Sequence, residues 1–544
     1  MINIEDTWQK EYPRPMLKRN SFYSLNGEWT LNNNAIIVPF PPQSKLSQYD
    51  NEVQELLHYH KTFILPDDFY QNNKRVILHF GAVDQTCKVY INEVLLGSHE
   101  GGYLPFDFDI TDYLQKENEI VVTAIDTLTH DYPYGKQRKD RGGMWYTPVS
   151  GIWQSVWLEA VPHDSIKNLK ITPTLNSVHL DVETHAQELT VTIPLKTKVF
   201  KQTYHTHTID IVLSEEDIEL WSPENPYLYH FSIDTHTDHV ESYFALREIK
   251  IEGQNLYLNN KKIFLHGVLD QGYFEDGIFL PESPKEFEND VLKMKELGLN
   301  FLRKHIKIEP ETFYYACDQH GMLVMQDMVN NGGYNYIFDT VLPNIGLVYR
   351  KDLDKSTPRQ REIFEDHMRR TLRHLYNHPC VISYTIFNEG WGQFNSDAMY
   401  DICKSLDNTR FYDSTSGWFH QKKNDVDSLH VYFKTKPLKT KLNKPIFLSE
   451  CGGYTRLIED HVFNKDASYG YGTTHSEEEL TAKIEKLYRE MVYTSIPNGL
   501  CGCVYTQLSD VEDEINGLYT YDRKVCKVNK EKMLEIKNKI ESLL

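Results

Sequence analysis

The sequence predicts two β-sandwich domains followed by a (β/α)8 barrel. Three observations carry that expectation. Residues 1–160 and 161–249 hold short runs rich in Val and Ile, broken by Asn, Gly and Pro, the pattern of antiparallel strands. From residue 250 onward such runs alternate with stretches of helical periodicity, which favours a parallel sheet with crossover helices. Eight strand-like runs fall within roughly 295 residues, the size of a (β/α)8 barrel.

In the first unit, 1–160, the strand runs include 75–80 (RVILHF), 87–91 (CKVYI) and 119–125 (EIVVTAI). In the second, 161–249, they include 189–193 (LTVTI) and 209–213 (IDIVL), a length that suits one small sandwich. No low-complexity linker separates the units, so packed domains are expected. In the third, 250–544, the candidate barrel strands are 263–268, 300–305, 323–327, 381–387, 410–413, 428–432, 445–450 and 501–506. Helix signals lie between them. Ser283, Pro284 and Glu286 read as N-cap, N1 and N3 of a capping box, with Phe287, Val291, Met294 and Leu297 at helical spacing and Gly298 as the stop. Ser476 and Glu479 read as a second box, and Pro310 and Gly321 bracket a third helix.

Composition excludes several functions. Of 544 residues, 40% are hydrophobic and 25% charged, which is ordinary globular usage. The formal net charge of −20 repels phosphate backbones and anionic lipid, so neither nucleic acid nor membrane is an expected partner. Residues 1–10 (MINIEDTWQK) have acids and no apolar run, and no stretch of 18 apolar residues occurs, so a cytoplasmic protein without a transmembrane helix is expected. The eight cysteines are scattered, and free thiols are expected; Cys501 and Cys503 form C-x-C, not a C-x-x-C redox motif.

In such a barrel the loops after the strands carry the chemistry. The candidate strands end in His305, Asp327, Asn388-Glu389, Asp413, Tyr432, Glu450 and Gln507, with His430 just inside the sixth. The stretch 328–357 is long and rich in Asn, Gly and Tyr, which predicts a lid or binding loop. Glu389 and Glu450 each follow an apolar strand directly and would emerge at one rim. Two carboxylates across a cleft are what acetal hydrolysis requires, one holding a proton for the leaving oxygen, the other attacking or activating water. Burial and mutual repulsion would separate their pKa values. Asn388 could bond a sugar hydroxyl, and Trp391 and Trp418 could stack on a sugar ring. Two rival readings remain: a metal-dependent hydrolase using His305, Asp327, His430 and Glu450, for which no H-x-H or H-E-x-x-H spacing exists, and a carbohydrate-binding protein without catalysis.

These residues sit within a series of short motifs that resembles glycoside hydrolase family 2, the β-galactosidases, β-glucuronidases and β-mannosidases, over nearly the whole length. The series begins with Ser24-Leu25-Asn26-Gly27-Glu28-Trp29 and continues through Val149-Ser150-Gly151-Ile152-Trp153-Gln154 and the segment from Leu220-Trp221-Ser222-Pro223 to Tyr229. It runs on through His266-Gly267-Val268, Leu302-Arg303-Lys304-His305 and His378-Pro379-Cys380-Val381-Ile382 to Asn388-Glu389. The resemblance implies a jelly-roll sugar-binding domain, an immunoglobulin-like sandwich and a TIM barrel. It implies retaining chemistry, with Glu389 as acid/base, Glu450 as nucleophile and Tyr432 bonded to the nucleophile. His305 and Asp327 would touch the sugar, and so would Tyr505, which stands where a tryptophan is common on the last strand. It implies a carbohydrate substrate, no cofactor, and leaves a homo-oligomer open.

Departures bear on the substrate. Glucuronidases of the family read the sugar carboxylate with an Asn-x-Lys pair; the matching stretch is Glu514-Ile515-Asn516-Gly517-Leu518-Tyr519-Thr520, and Glu514 would repel a uronate. The histidine of large β-galactosidases three residues after the nucleophile is Gly453, and their Glu-x-His magnesium site has no counterpart in Asp327-Met328-Val329-Asn330-Asn331, so no required metal is expected. The expectation is an exo-acting hydrolase of terminal β-linked neutral sugars, galactosides first; a β-glucuronide, β-mannoside or arabinoside is the alternative.

Overall fold

Alternation of inward and outward side chains builds the first domain. Along Asn118–Ile125, Ile120, Val122 and Ala124 are fully buried while the residues between them are not. In this computed structural model, which describes residues 7–70, 74–344, 347, 352, 356–433 and 435–544, that strand lies in a six-stranded antiparallel sheet. A four-stranded antiparallel sheet faces it, and Trp29, Tyr59, Leu78 and Val122 share the core between them. The second domain packs a three-stranded sheet on a four-stranded one. Trp221, fully buried, donates from Nε1 to the carbonyl of Asp318 at 2.8 Å, so the Leu220-Trp221 motif fastens this sandwich to the barrel.

A small antiparallel sheet from Ile249 to Lys262 leads into eight parallel strands: β1 (Leu265–Asp270), β2 (Phe301–Lys304), β3 (Leu323–Asp327), β4 (Val381–Asn388), β5 (Phe411–Ser416), β6 (Asp427–Val431), β7 (Ile446–Gly452) and β8 (Leu500–Thr506). All eight predicted barrel strands are present. Most residues of these strands are buried, because helices cover the outside and side chains fill the inside; hence their apolar runs. The sheet order is β5-β4-β3-β2-β1-β8-β7-β6. No strand pairing joins β5 to β6 among the described residues. Side chains close that seam: Ser428 Oγ donates to Asp413 Oδ2 at 2.5 Å, and Ser416 Oγ meets His430 Nε2 at 2.8 Å.

Local signals are only partly used. The helix Lys285–Glu296 has no side-chain cap; Pro284 is already helical, and it is the Ser283 carbonyl, not its hydroxyl, that accepts from Glu286 N at 3.2 Å. Ser476 does cap Glu479 N, at 3.1 Å, but the Glu479 carboxylate turns to His475 N instead of completing the box. A full capping box forms at Thr357 and Gln360, opening the helix Pro358–Leu375. The predicted lid begins with Val329, Asn330 and Asn331 buried against the first domain, where Tyr134 N donates to Asn330 O at 3.1 Å. It continues as a π-helical turn, Ile337–Val341; residues 345–346, 348–351 and 353–355 lie outside the described residues. All eight cysteines are free, and among the described residues no helix is long and apolar enough to cross a membrane.

Candidate active site

The site is assembled by strand ends and is organised around a cation. Arg303 on β2 is fully buried. A buried guanidinium costs several kcal/mol unless it is paired and hydrogen-bonded. Here Nε donates to both carboxylate oxygens of Asp327, at 2.9 and 3.1 Å, Nη1 to Glu450 Oε1 at 3.0 Å and to Ser449 O at 3.1 Å, and Nη2 to Asn388 Oδ1 at 2.8 Å. One side chain therefore fixes residues from β3, β4 and β7. Strand ends alone do not point to it, because Arg303 lies inside a strand. The available signal was a charged residue in an otherwise buried run.

Glu450 lies on β7 and is buried. Burial pushes its carboxyl up, but His430 and Arg303 more than offset this and hold it down to about 2. The hydroxyl of Tyr432 donates to its other oxygen, Oε2. Glu450 is thus an ionised, fully oriented carboxylate at neutral pH.

Glu389 follows β4 in left-handed backbone, with φ of +53°. Strain of this kind in a non-glycine residue gathers at functional sites. The turn continues through Gly390, also at positive φ, where a Cβ would lie 2.5 Å from the Phe419 ring, so any side chain there would be strained and would displace that ring. Glu389 Oε1 is 2.7 Å from His430 Nδ1, and His430 Nε2 is 3.5 Å from Glu450 Oε1. Single ligand atoms of Glu389, His430 and Glu450 all lie within 4.8 Å of one another. The three could by spacing alone hold a cation. Each already has a protein partner, and the Arg303 guanidinium on Glu450 would repel one.

His305 Nδ1 is 2.7 Å from Asp327 Oδ2. Burial pushes the imidazole down to about 4, and although burial pushes Asp327 up, the Arg303 charge holds it below its usual value. A neutral His305 thus donates to an ionised Asp327 and keeps Nε2 as an acceptor. Asn388 gives its oxygen to Arg303, and its NH2 bonds none of the described residues. Trp418 is half-buried and stands edge-on to His430, ring centres 5.4 Å apart. Gln507 bonds Asn516 at 2.9 Å, and Asn516 bonds Glu514 Oε1 at 2.9 Å.

Two expected sugar contacts are placed differently. Trp391 is 1% exposed and enclosed by Tyr134, Trp145 and Tyr334, so its ring builds the loop floor and offers no stacking face. Tyr505 shares the face of β8 with Cys503, which touches Tyr488 of the helical layer. Its hydroxyl accepts from Tyr454 N at 3.3 Å and its ring backs onto Gly452, so strand parity turns it away from the carboxylates. Tyr471, not anticipated, stacks on Tyr432 with ring centres 4.1 Å apart. A Cβ on Gly453 would lie 2.6 Å from this ring, so Tyr471 occupies the space a larger residue there would need. Tyr146 of the first domain donates to Glu514 Oε2, bringing a second domain into the site.

Three family models match the chain in order: the sugar binding domain of glycosyl hydrolases family 2 over residues 22–162, glycosyl hydrolases family 2 over 165–247, and the family 2 TIM barrel domain over 249–487. The chain belongs to glycoside hydrolase family 2. Among curated relatives, this family 2 chain is similar to a beta-galactosidase of Thermoanaerobacter pseudethanolicus, 24% identical over 409 residues, 70% of this chain and 51% of that protein. It is also similar to a putative beta-glucuronidase of Formosa agariphila, 26% identical over 349 residues, 59% of this chain and 38% of that one. The chain thus spans about half the length, or less, of these relatives. Among solved structures, a beta-glucuronidase of an uncultured Clostridium sp. superposes with a TM-score of 0.77 at 18% identity, covering 97% of this chain and 99% of that one. A GH2 beta-galacturonidase of Eisenbergiella tayi superposes at 0.69 and 18% identity, covering 97% of each chain. At such identities the likeness shows the fold.

Proposed function

We propose that this family 2 chain is a retaining, exo-acting glycosidase that removes terminal β-linked neutral sugars, with β-galactosides first. The carrying observation is the carboxylate pair: Glu389 and Glu450 bring oxygens within 4.8 Å, and Glu450 is held ionised by Arg303, His430 and Tyr432. Inverting enzymes keep their carboxyl groups ~6.5–9.5 Å apart to admit a water, and retaining ones ~5–5.5 Å. In this reading Glu450 attacks the anomeric carbon while Glu389 gives its proton to the departing oxygen. The C–O bond breaks and a glycosyl ester forms on Glu450. Glu389, now a base, then takes a proton from water as that water attacks the same carbon and frees Glu450. His430, bonded to Glu389 and near Glu450, orients the two carboxylates during the exchange.

The neutral-glycone assignment rests on Glu514, buried beside Asn516 where a uronate reader would carry a cation. The curated relatives carry both galactosidase and glucuronidase names, so Glu514 is the support for placing a neutral sugar first. Hydrolysis of 4-nitrophenyl β-galactoside, β-mannoside, β-glucuronide and α-arabinoside tests it; the galactoside should be cleaved fastest with net retention by NMR. Preferred cleavage of the glucuronide, or an inverted first product, overturns the reading.

The acid/base role has its own signature. Glu389→Gln should slow hydrolysis of a poor leaving group, such as a methyl glycoside, by roughly 10²- to 10⁴-fold. With a 2,4-dinitrophenyl leaving group, which departs without a proton, formation of the glycosyl ester should change far less. Equal losses with both substrates would remove Glu389 from that role.

A further inference from the structure

The first domain reaches the sugar pocket through the segment 134–146, and its placement is fixed from three sides. Gly135 packs so closely on the barrel that a Cβ there would lie 2.7 Å from the carbonyl of Ile306, the neighbour of His305. Tyr146 N donates to Lys136 O at 3.0 Å, and the Tyr146 ring ends on Glu514. Trp145 packs edge-on against Trp391, two residues beyond Glu389, with ring centres 5.2 Å apart. Lys136 therefore stands among the loops that follow β2, β4 and β8, its Nζ 5.5 Å from the centre of the Trp145 ring.

Lys136 is half-buried, yet among the described residues its ammonium makes no hydrogen bond and no ion pair. Partial burial without an acceptor is unfavourable for a charged donor. Its positive charge pulls the pKa of both His305 and Glu514 down. Each Glu514 oxygen accepts one hydrogen bond, from Tyr146 or Asn516, and has room for a second. The pocket thus presents a donor lacking an acceptor beside a carboxylate that balances its charge.

We propose that Lys136 is a specificity-determining residue supplied by the first domain, whose ammonium donates to hydroxyl oxygens of the glycone along the edge facing Glu514. This rests on the neutral-glycone reading above. The adjacent carboxylate disfavours a second anion there, whereas hydroxyls can accept from Lys136 and donate to Glu514. An anchor on the first domain would make that domain part of the sugar pocket.

Lys136→Met keeps the stem and removes the donor. On the best neutral aryl glycoside its kcat/KM should fall roughly 10- to 100-fold, the loss of one charged hydrogen bond. The thermal midpoint should stay within ~2 °C, as for a partly exposed side chain without partners. Lys136→Arg should recover part of the loss. Monodeoxy glycosides identify the contact: deleting the hydroxyl that Lys136 holds should cost the wild type as much as the variant loses, and cost the variant nothing further. Wild-type kcat/KM in Lys136→Met, or losses that add at every hydroxyl, overturn the proposal. A wild-type enzyme that prefers the glucuronide overturns the neutral-glycone reading. If Lys136→Met then loses activity on the glucuronide alone, the hydroxyl contact is also overturned in favour of the carboxylate.

Discussion

Glu450→Gln is expected to lower kcat on an aryl β-glycoside by at least ~10³-fold, more than 4 kcal/mol of transition-state stabilisation. The amide is nearly isosteric, but it keeps one oxygen where Tyr432 and Arg303 bond two, so one of these donors retains its acceptor and the other faces an NH2 group. What disappears is the negative charge and the nucleophile together: no glycosyl ester can form, and the developing oxocarbenium charge loses its counter-ion. The complementary variant is Glu450→Ala with azide. The small anion fits the space left by the carboxylate and attacks the anomeric carbon from that face, so it should restore turnover and yield the α-glycosyl azide. The same rescue of Glu389→Ala should yield the β-azide, since attack there comes after the glycosyl ester has formed. Near wild-type turnover of Glu450→Gln, or a β-azide from Glu450→Ala, would remove Glu450 from the nucleophile's place.

Arg303→Met should injure both stability and activity. It strips a fully buried pair of carboxylates, Asp327 and Glu450, of their shared cation, and breaking such a pair on one side costs about 3–5 kcal/mol. Loss of the bonds to Asn388 and Glu450 releases the geometry of β4 and β7, which carry the two carboxylates, so kcat should fall even where the protein is folded. The pH dependence separates this from a packing defect. Asp327 and Glu450 are both held below their ordinary values in the fold, Glu450 at about 2. Each therefore contributes stability that is complete above the unfolded value, near pH ~4, and is lost as pH falls through the folded one. The variant's carboxyls return upward and forfeit that contribution. The stability gap between wild type and variant should be widest at neutral pH and close between pH ~4 and ~2. A gap that stays constant over that range in denaturant titrations would assign the effect to lost packing. Arg303→Lys should rescue only in part, because one ammonium cannot span Asp327, Asn388 and Glu450 together.

The barrel was legible because doubly buried parallel strands are apolar runs. Where the interior turns polar, the signal fades: the pattern predicts a fifth strand at 410–413, whereas it runs Phe411–Ser416, its Ser-Thr-Ser end reaching other buried polar groups. Glu389 and Glu450 were legible as acids directly after apolar strands. Arg303 was not, since it sits a turn of the pleat below the rim. Tyr505 and Trp391 were misplaced for a different reason: residue type suggested a sugar platform, but strand parity and loop packing decide which face a ring presents. The contributions of Tyr146 and Lys136 meet barrel residues far along the chain, Tyr146 at Tyr273 and Glu514 and the Lys136 segment at Ile306, and no local pattern in the chain encodes such a meeting.

The side-chain closure between β5 and β6 has a dynamic consequence. A continuous ladder shares opening fluctuations around the whole hoop, whereas a hoop fastened at one place by hydroxyls and a carboxylate breathes there first. The backbone amides flanking this join should exchange with deuterium sooner than those of β1, β2 and β3. Because His430 takes part in the fastening and also touches Glu389, each opening of the join should momentarily uncouple Glu389 from its neighbour. Mending the join with additional backbone pairing would then steady the catalytic step as well as the fold.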